Sequence, residues 1–237
     1  MKSRTLQFTP PQTLALGFLC LIIGGGLVLK MPISVEKNIS WIDAFFTAAS
    51  ATTVTGLTVV DTQSTFTVFG EIIILLLIQI GGIGFMSMAM LIVMMLGKRI
   101  GLRQRLLVQE AFNQTSIGGV IRLVKRVLVV TLFIELLGIM ILSIRWVPEM
   151  GIKTGIYYST FHVIAAYNNA GFALWKDNLM PFVGDPIVNI VISMLIIVGG
   201  IGFTLQQVVS QTISSFKNHV CWNGELNSCR ILFLLLS

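Results

Sequence analysis
The chain has 237 residues, of which 55% are hydrophobic and only 11% charged, with a formal net charge of +6 and a mean hydropathy of +0.89. A soluble domain carries about 25% charged residues, so the composition excludes an ordinary soluble globular protein and implies an integral, all-α membrane protein. Two isolated histidines, and cysteines at 20, 221 and 229 with no ligand spacing around His219, argue against a structural zinc site, a disulfide framework or a membrane enzyme built on a nucleophile and base.

A spanning helix needs about 20 apolar residues, and four segments reach that length: 12–31, 69–96, 127–147 and 187–209. Lys2 and Arg4 precede the first, but no small-residue cleavage site follows Leu29-Lys30-Met31-Pro32, so it reads as a span rather than a signal peptide. Glu71 and Gln79 interrupt the second. The segment after it carries Lys98, Arg99, Arg103, Arg105, Arg122, Lys125 and Arg126 against Glu110, which the positive-inside rule assigns to the cytoplasm together with both termini. The same rule accounts for the basic charge without a nucleic-acid partner.

The chain reads as two copies of one unit. Ile39 to Leu57 and Phe161 to Phe172 correspond at a displacement of 115 residues, which places Phe46 on Phe161, Ala51 on Ala166 and Gly56 on Gly171. Gly81-Gly82-Ile83-Gly84-Phe85 recurs as Gly199-Gly200-Ile201-Gly202-Phe203 at a displacement of 118. The expected organisation is a first repeat over 1–97, a basic cytoplasmic loop over 98–125, a second repeat over 126–204 and a divergent tail over 205–237. Each repeat is a span, a short helix and a second span, giving four transmembrane helices and two re-entrant pore loops.

The first short helix is expected over 41–51, about 16 Å long and half the hydrocarbon thickness. Ser40 is positioned to cap it, and Asp43 favours the positive end of its dipole. The negative end then points toward the membrane middle. Thr52 to Gly56 follow as irregular backbone, which is tolerated at that depth only where it lines a cavity or is buried in protein. Carbonyl oxygens in a ring can replace the hydration shell of potassium or sodium, and glycine permits the backbone conformations that aim them.

The runs Thr52-Thr53-Val54-Thr55-Gly56-Leu57-Thr58-Val59-Val60-Asp61-Thr62 and Tyr167-Asn168-Asn169-Ala170-Gly171-Phe172, with the repeated Gly-Gly-Ile-Gly-Phe, closely resemble the Trk/Ktr/HKT superfamily of potassium transporters, and most of all its Ktr-type membrane subunits. The resemblance covers about residues 10–204. It implies a selectivity filter with one glycine per repeat, here Gly56 and Gly171, and carbonyls from Thr53, Val54 and Thr55, then Asn168, Asn169 and Ala170. It further implies transported potassium, dependence on sodium, no cofactor, a homo-oligomer in the lipid bilayer, and a cytosolic nucleotide-binding regulatory subunit. Family members have four such repeats, whereas this sequence has two, and the likeness fades after Thr204. The alternative expectations are an inactive truncated or frameshifted fragment and a sodium/potassium channel-like subunit.

Other conspicuous residues have structural readings. Glu135 is costly in lipid and is expected to face protein and pair there. His162 stands where the first repeat has Thr47 and is expected to pack rather than titrate. The Gly-Gly-Ile-Gly runs follow no strand, so close helix packing explains them better than nucleotide binding. The methionines between 86 and 95 read as core or lipid-facing material.

Overall fold
The computed structural model describes residues 10–84 and 117–201. Among them all regular structure is helical, apart from one isolated bridge between Val35 and Phe66. In chain order these are α1 (Pro10–Leu29), α2 (Trp41–Thr53), the single turn α3 (Thr62–Thr65), α4 (Val68–Ile83), α5 (Ile117–Met150), α6 (Ile152–Tyr167), a 3-10 turn (Met180–Phe182) and α7 (Pro186–Gly200).

Local chemistry sets most of the boundaries. Ser40 and Asp43 form a reciprocal capping box at the start of α2, with each side-chain oxygen 3.1 Å from the other residue's backbone nitrogen. Asp61 caps α3, and the Thr67 hydroxyl caps α4 while donating to the Ile33 carbonyl at 2.6 Å. The connections into α2 and α4 are thereby tied together, as Glu36 N–H donates to Thr65 O at 2.9 Å and Thr67 N–H to Ser34 O at 3.0 Å.

Three expected boundaries change. The first short helix runs to Thr53 rather than Ala51, because the paired bonds from Val54 N–H to Ala51 O and Thr55 N–H to Ser50 O close it only after that residue. The second span is not one continuous helix over 69–96: α4 closes at Ile83, where Gly84 adopts φ 90° and ψ 127°. The third begins at Ile117, so the last part of the expected basic loop is helical. The remainders of the second and fourth spans, the methionine run, most of the basic segment and the tail with Cys221 and Cys229 lie outside the described residues.

Val127–Met150 is long and apolar enough to cross a membrane by itself, whereas the apolar stretches Ala15–Leu29, Val68–Ile83 and Pro186–Gly200 are shorter. On α5 the buried positions Val127, Thr131, Glu135, Leu142 and Trp146 recur at helical spacing, while Leu132, Phe133, Leu136, Met140 and Ile144 are exposed. Apolar side chains turned outward and polar ones inward are the pattern of a helix whose surroundings are lipid.

Small residues allow the short helices to pack closely. A Cβ on Gly26 of α1 would lie 2.3 Å from the Phe45 ring of α2, and one on Gly25 would lie 2.7 Å from Leu77 of α4. The same hydrophobic cluster continues from Leu29, Ala48 and Ile74 into Phe161, Ala165, Ala170 and Phe172, so α1, α2 and α4 share a core with α6 and the turn after it. Polar ties reinforce it. Tyr157 of α6 donates to Glu71 of α4, and Gln63 donates to the Tyr158 hydroxyl at 2.6 Å.

Candidate functional site
The chain leaves α2 and α6 through the same backbone turn. Val54 N–H donates to Ala51 O at 3.4 Å and Thr55 N–H to Ser50 O at 3.0 Å; 115 residues later, Asn169 N–H donates to Ala166 O at 3.0 Å and Ala170 N–H to Ala165 O at 2.7 Å. These paired bonds across three and five residues are a Schellman motif, which requires a left-handed residue. That residue is usually glycine. Here Val54 has φ 56° and Asn169 φ 57°. Asparagine tolerates this region, whereas a β-branched residue in it is an outlier.

Two residues further on, Gly56 and Gly171 have φ 74° and 69°. Thr55 and Ala170 are not among the residues with positive φ, so in each turn one residue outside the left-handed region separates two with positive φ. The glycines meet across the repeat boundary. A Cβ on Gly56 would lie 2.7 Å from Ala170 O and 3.2 Å from the Gly171 Cα, and a Cβ on Gly171 would lie 3.2 Å from the Gly56 Cα.

All eight expected site residues therefore lie at the end of a short helix or in the turn that follows it, with the two turns side by side. Thr53 ends α2 and Asn168 follows the last residue of α6. Thr53, Thr55, Asn169 and Gly171 are exposed, Val54, Gly56 and Asn168 half-buried, and Ala170 buried. Gly171 borders a cleft of about 250 Å³ with Thr58, Asp61 and Trp175, and another of about 260 Å³ with Phe172, Ile192 and Ile196.

The repeated glycine motif performs one task twice. A Cβ on Gly81 would lie 2.0 Å from Thr52 O, and one on Gly199 would lie 1.7 Å from Tyr167 O. Each following helix thus presses its backbone against the last turn of the short helix, in line with the expected packing role.

Side chains hold the second turn to its neighbours. Asn168 donates to Gln79 Oε1 of α4 at 2.9 Å and to Ile164 O at 2.9 Å, and Gln79 donates to both Glu135 oxygens at 3.0 and 3.2 Å. Glu135 therefore faces protein and pairs there, as expected. The Asn169 amide lies between the Ile196 carbonyl and the Gly200 N–H, and the orientation that satisfies both has it donate to Ile196 O at 3.3 Å and accept from Gly200 N–H at 3.2 Å. The Tyr167 and Thr131 hydroxyls lie 3.1 Å apart.

His162 is buried and packs, also as expected. Its Nδ1 lies 2.8 Å from Tyr158 O and must donate, while Nε2 accepts from Leu174 N–H at 3.3 Å, which fixes the neutral Nδ1–H tautomer. Trp146, Tyr158, Phe161 and Trp175 surround the ring. The left-handed Val54 and the role of Gln79 were not foreseen. Asn169 carried a residue-type signal for its conformation, and Val54 carried none.

Residues 18–225 match the model of the TrkH family, described as cation transport proteins. The chain is similar to the Ktr system potassium uptake protein B of Bacillus subtilis, at 62% identity over 200 residues, covering 84% of this chain and 45% of that protein. It is also similar to the protein of the same name from Vibrio alginolyticus, at 45% identity over 195 residues (82% and 43%). A third relative, the potassium/sodium uptake protein NtpJ of Enterococcus hirae, is 38% identical over 206 residues (86% and 46%). The chain thus spans about half the length of the curated relatives it matches.

Proposed function
This chain belongs to the TrkH family of cation transport proteins, and from that premise we propose that it contributes to a potassium-uptake pore whose filter includes the turns after α2 and α6. The observation that carries the reading is the contact between Gly56 and Gly171, each at positive φ in a turn with the same hydrogen bonding. Two chemically different sequences converge on one backbone geometry, so the backbone is the common element. Its carbonyls are the available ligands, and potassium is the cation whose hydration shell carbonyl rings replace.

Electrostatics supports the assignment. The C-terminal ends of α2 and α6 carry the negative end of each helix dipole, equivalent to about half an elementary charge, and both turns sit at those ends. Helices of 13 and 16 residues extend about 20 and 24 Å, short of the roughly 30 Å hydrocarbon core. We read them as re-entrant pore helices between spans, in two repeats, with the Lys98 to Arg126 segment and both termini cytoplasmic.

Two turns provide half of a fourfold ring. The exposed sides of Thr53, Thr55 and Gly171 are where further turns would complete it, because irregular backbone at membrane depth must be covered by protein or line a water-filled path. Those turns come from a second copy of this chain or from additional repeats. A cytosolic nucleotide-binding regulatory subunit and dependence on sodium complete the reading, in keeping with the named Ktr system and the potassium/sodium relative.

Uptake by cells lacking their own potassium transport tests the proposal, with the chain expressed alone and joined to a second pair of repeats. The completed pore should restore growth at limiting potassium, and Gly56→Ser or Gly171→Ser should reduce uptake or relax discrimination against sodium. Unchanged uptake and selectivity in both variants would remove the two turns from the filter.

A further inference from the structure
Glu135 is only 3% exposed at the middle of the apolar helix α5, and the ion pairs found among the described residues involve Arg145, not Glu135. A carboxylate so placed must obtain its hydrogen bonds from neutral donors. Both oxygens obtain them from the Gln79 amide, at 3.0 and 3.2 Å.

This contact sets the direction of a chain of amides. The Gln79 nitrogen faces both Glu135 oxygens, and its oxygen faces Asn168. The Asn168 nitrogen must then donate to that oxygen at 2.9 Å, with its other hydrogen directed to Ile164 O at 2.9 Å. Asn168 Oδ1 is left against Gly82, where a Cβ would lie 1.9 Å from it. Three segments are joined through one carboxyl group: α4, α5 and the turn after α6.

Among the described residues, the first turn shows no such tether. At Asn168's place stands Thr53, whose hydroxyl returns to Ala49 O of its own helix at 2.7 Å.

We infer that Glu135 is a positioning residue for the second turn, acting through Gln79 to fix the Asn168 side chain and with it the backbone of 168–171. The value of that position for ion selection rests on the filter reading above; the tether itself does not. Loss of the carboxylate leaves Gln79 free to invert, and an inverted amide presents N–H to N–H at Asn168. The second turn then loosens while the first keeps its local support.

Amide hydrogen exchange of the purified full chain, read at peptides covering the two turns, separates the possibilities. Glu135→Ala and Gln79→Ala should each speed exchange at Asn168, Asn169 and Ala170 by about tenfold or more, as expected when a buried polar contact is lost, and leave Val54 and Thr55 as in the parent chain. Glu135→Gln keeps the shape and an acceptor but can also donate, so it should fall between the two and serve if the alanine variants fold poorly. Equal acceleration in both turns, or none in the second, would overturn the inference. Repeating the measurement in potassium and in sodium on the chain joined to a second pair of repeats distinguishes the two claims: if that completed pore gains no protection from potassium but the Glu135 effect persists, the tether stands and the filter reading fails.

Discussion

The turns that follow α2 and α6 share their backbone and differ in what supports it. In the first, the supports are internal to the helix: Thr52 and Thr53 bond to Ala48 O and Ala49 O, and the Thr55 hydroxyl lies 3.1 Å from Ser50 Oγ. In the second, the supports come from other helices: Gln79 on Asn168, Thr131 on Tyr167, and α7 on Asn169. The helices above them differ likewise, since His162 is fully bonded and caged whereas the buried Thr47 hydroxyl has no partner among the described residues. One backbone geometry is thus reached by two routes, one local and one tertiary. What the two turns share is their hydrogen bonding and the sign of φ at corresponding residues.

The largest expected effect comes from removing what the turns have in common. Gly81→Ala and Gly199→Ala each place a methyl within 2.0 Å of a helix-end carbonyl, and backbone must move to admit it. Overpacking of this kind costs about 1–3 kcal/mol or more, so both variants should show strongly reduced thermal stability and abundance. Parent-like melting in either would mean that the close approach is not required.

A smaller effect separates the turns. Val54→Gly removes a β-branched residue from the left-handed region, where an L-residue costs about 1–2 kcal/mol, and should raise the melting temperature or leave it unchanged. Asn169→Gly gains less from the backbone and loses two contacts to Ile196 and Gly200 of α7, so it should be destabilising. Opposite signs in the two substitutions sharpen the comparison, and matching signs break it.

The smallest effect lies at the entrance to α7, outside the contacts of both turns. Asp185 loses some hydration there, but the Val188 N–H and the Arg145 guanidinium 2.5 Å away hold its carboxyl below the ordinary carboxylate range. A depressed value in the folded state means that this contribution is present at neutral pH and is lost as pH falls through the folded value. Because the pair is partly solvated, Asp185→Asn should lower the melting temperature only slightly at neutral pH and have no effect in strong acid. A large loss at neutral pH would give the pair a weight that its exposure does not support.

Much of this arrangement was legible in the residues. The capping box at Ser40 and Asp43, the repeat, the positive-φ glycines and the inward turn of Glu135 each follow from a local rule or from the cost of charge in lipid. The two extra helical residues of α2 were not legible, because threonine is a poor helix former by itself and tertiary packing overrides that preference here. Nor was Val54, since the left-handed turn is imposed on it by the hydrogen bonds of Thr55 and its own N–H rather than preferred by its side chain. The link from Glu135 to Asn168 joins residues distant in sequence through Gln79, and no periodicity announces such a bridge.

The central claim is that Gly56 and Gly171 bring two sets of backbone carbonyls to one cation. Thallium(I), a potassium surrogate with strong anomalous scattering, tests it most directly when soaked into crystals of the completed pore. The account predicts an anomalous peak in direct coordination with backbone oxygens from residues 53–56 and 168–171, lost in Gly56→Ser. A peak held by side chains elsewhere, with none between the two turns, would contradict it.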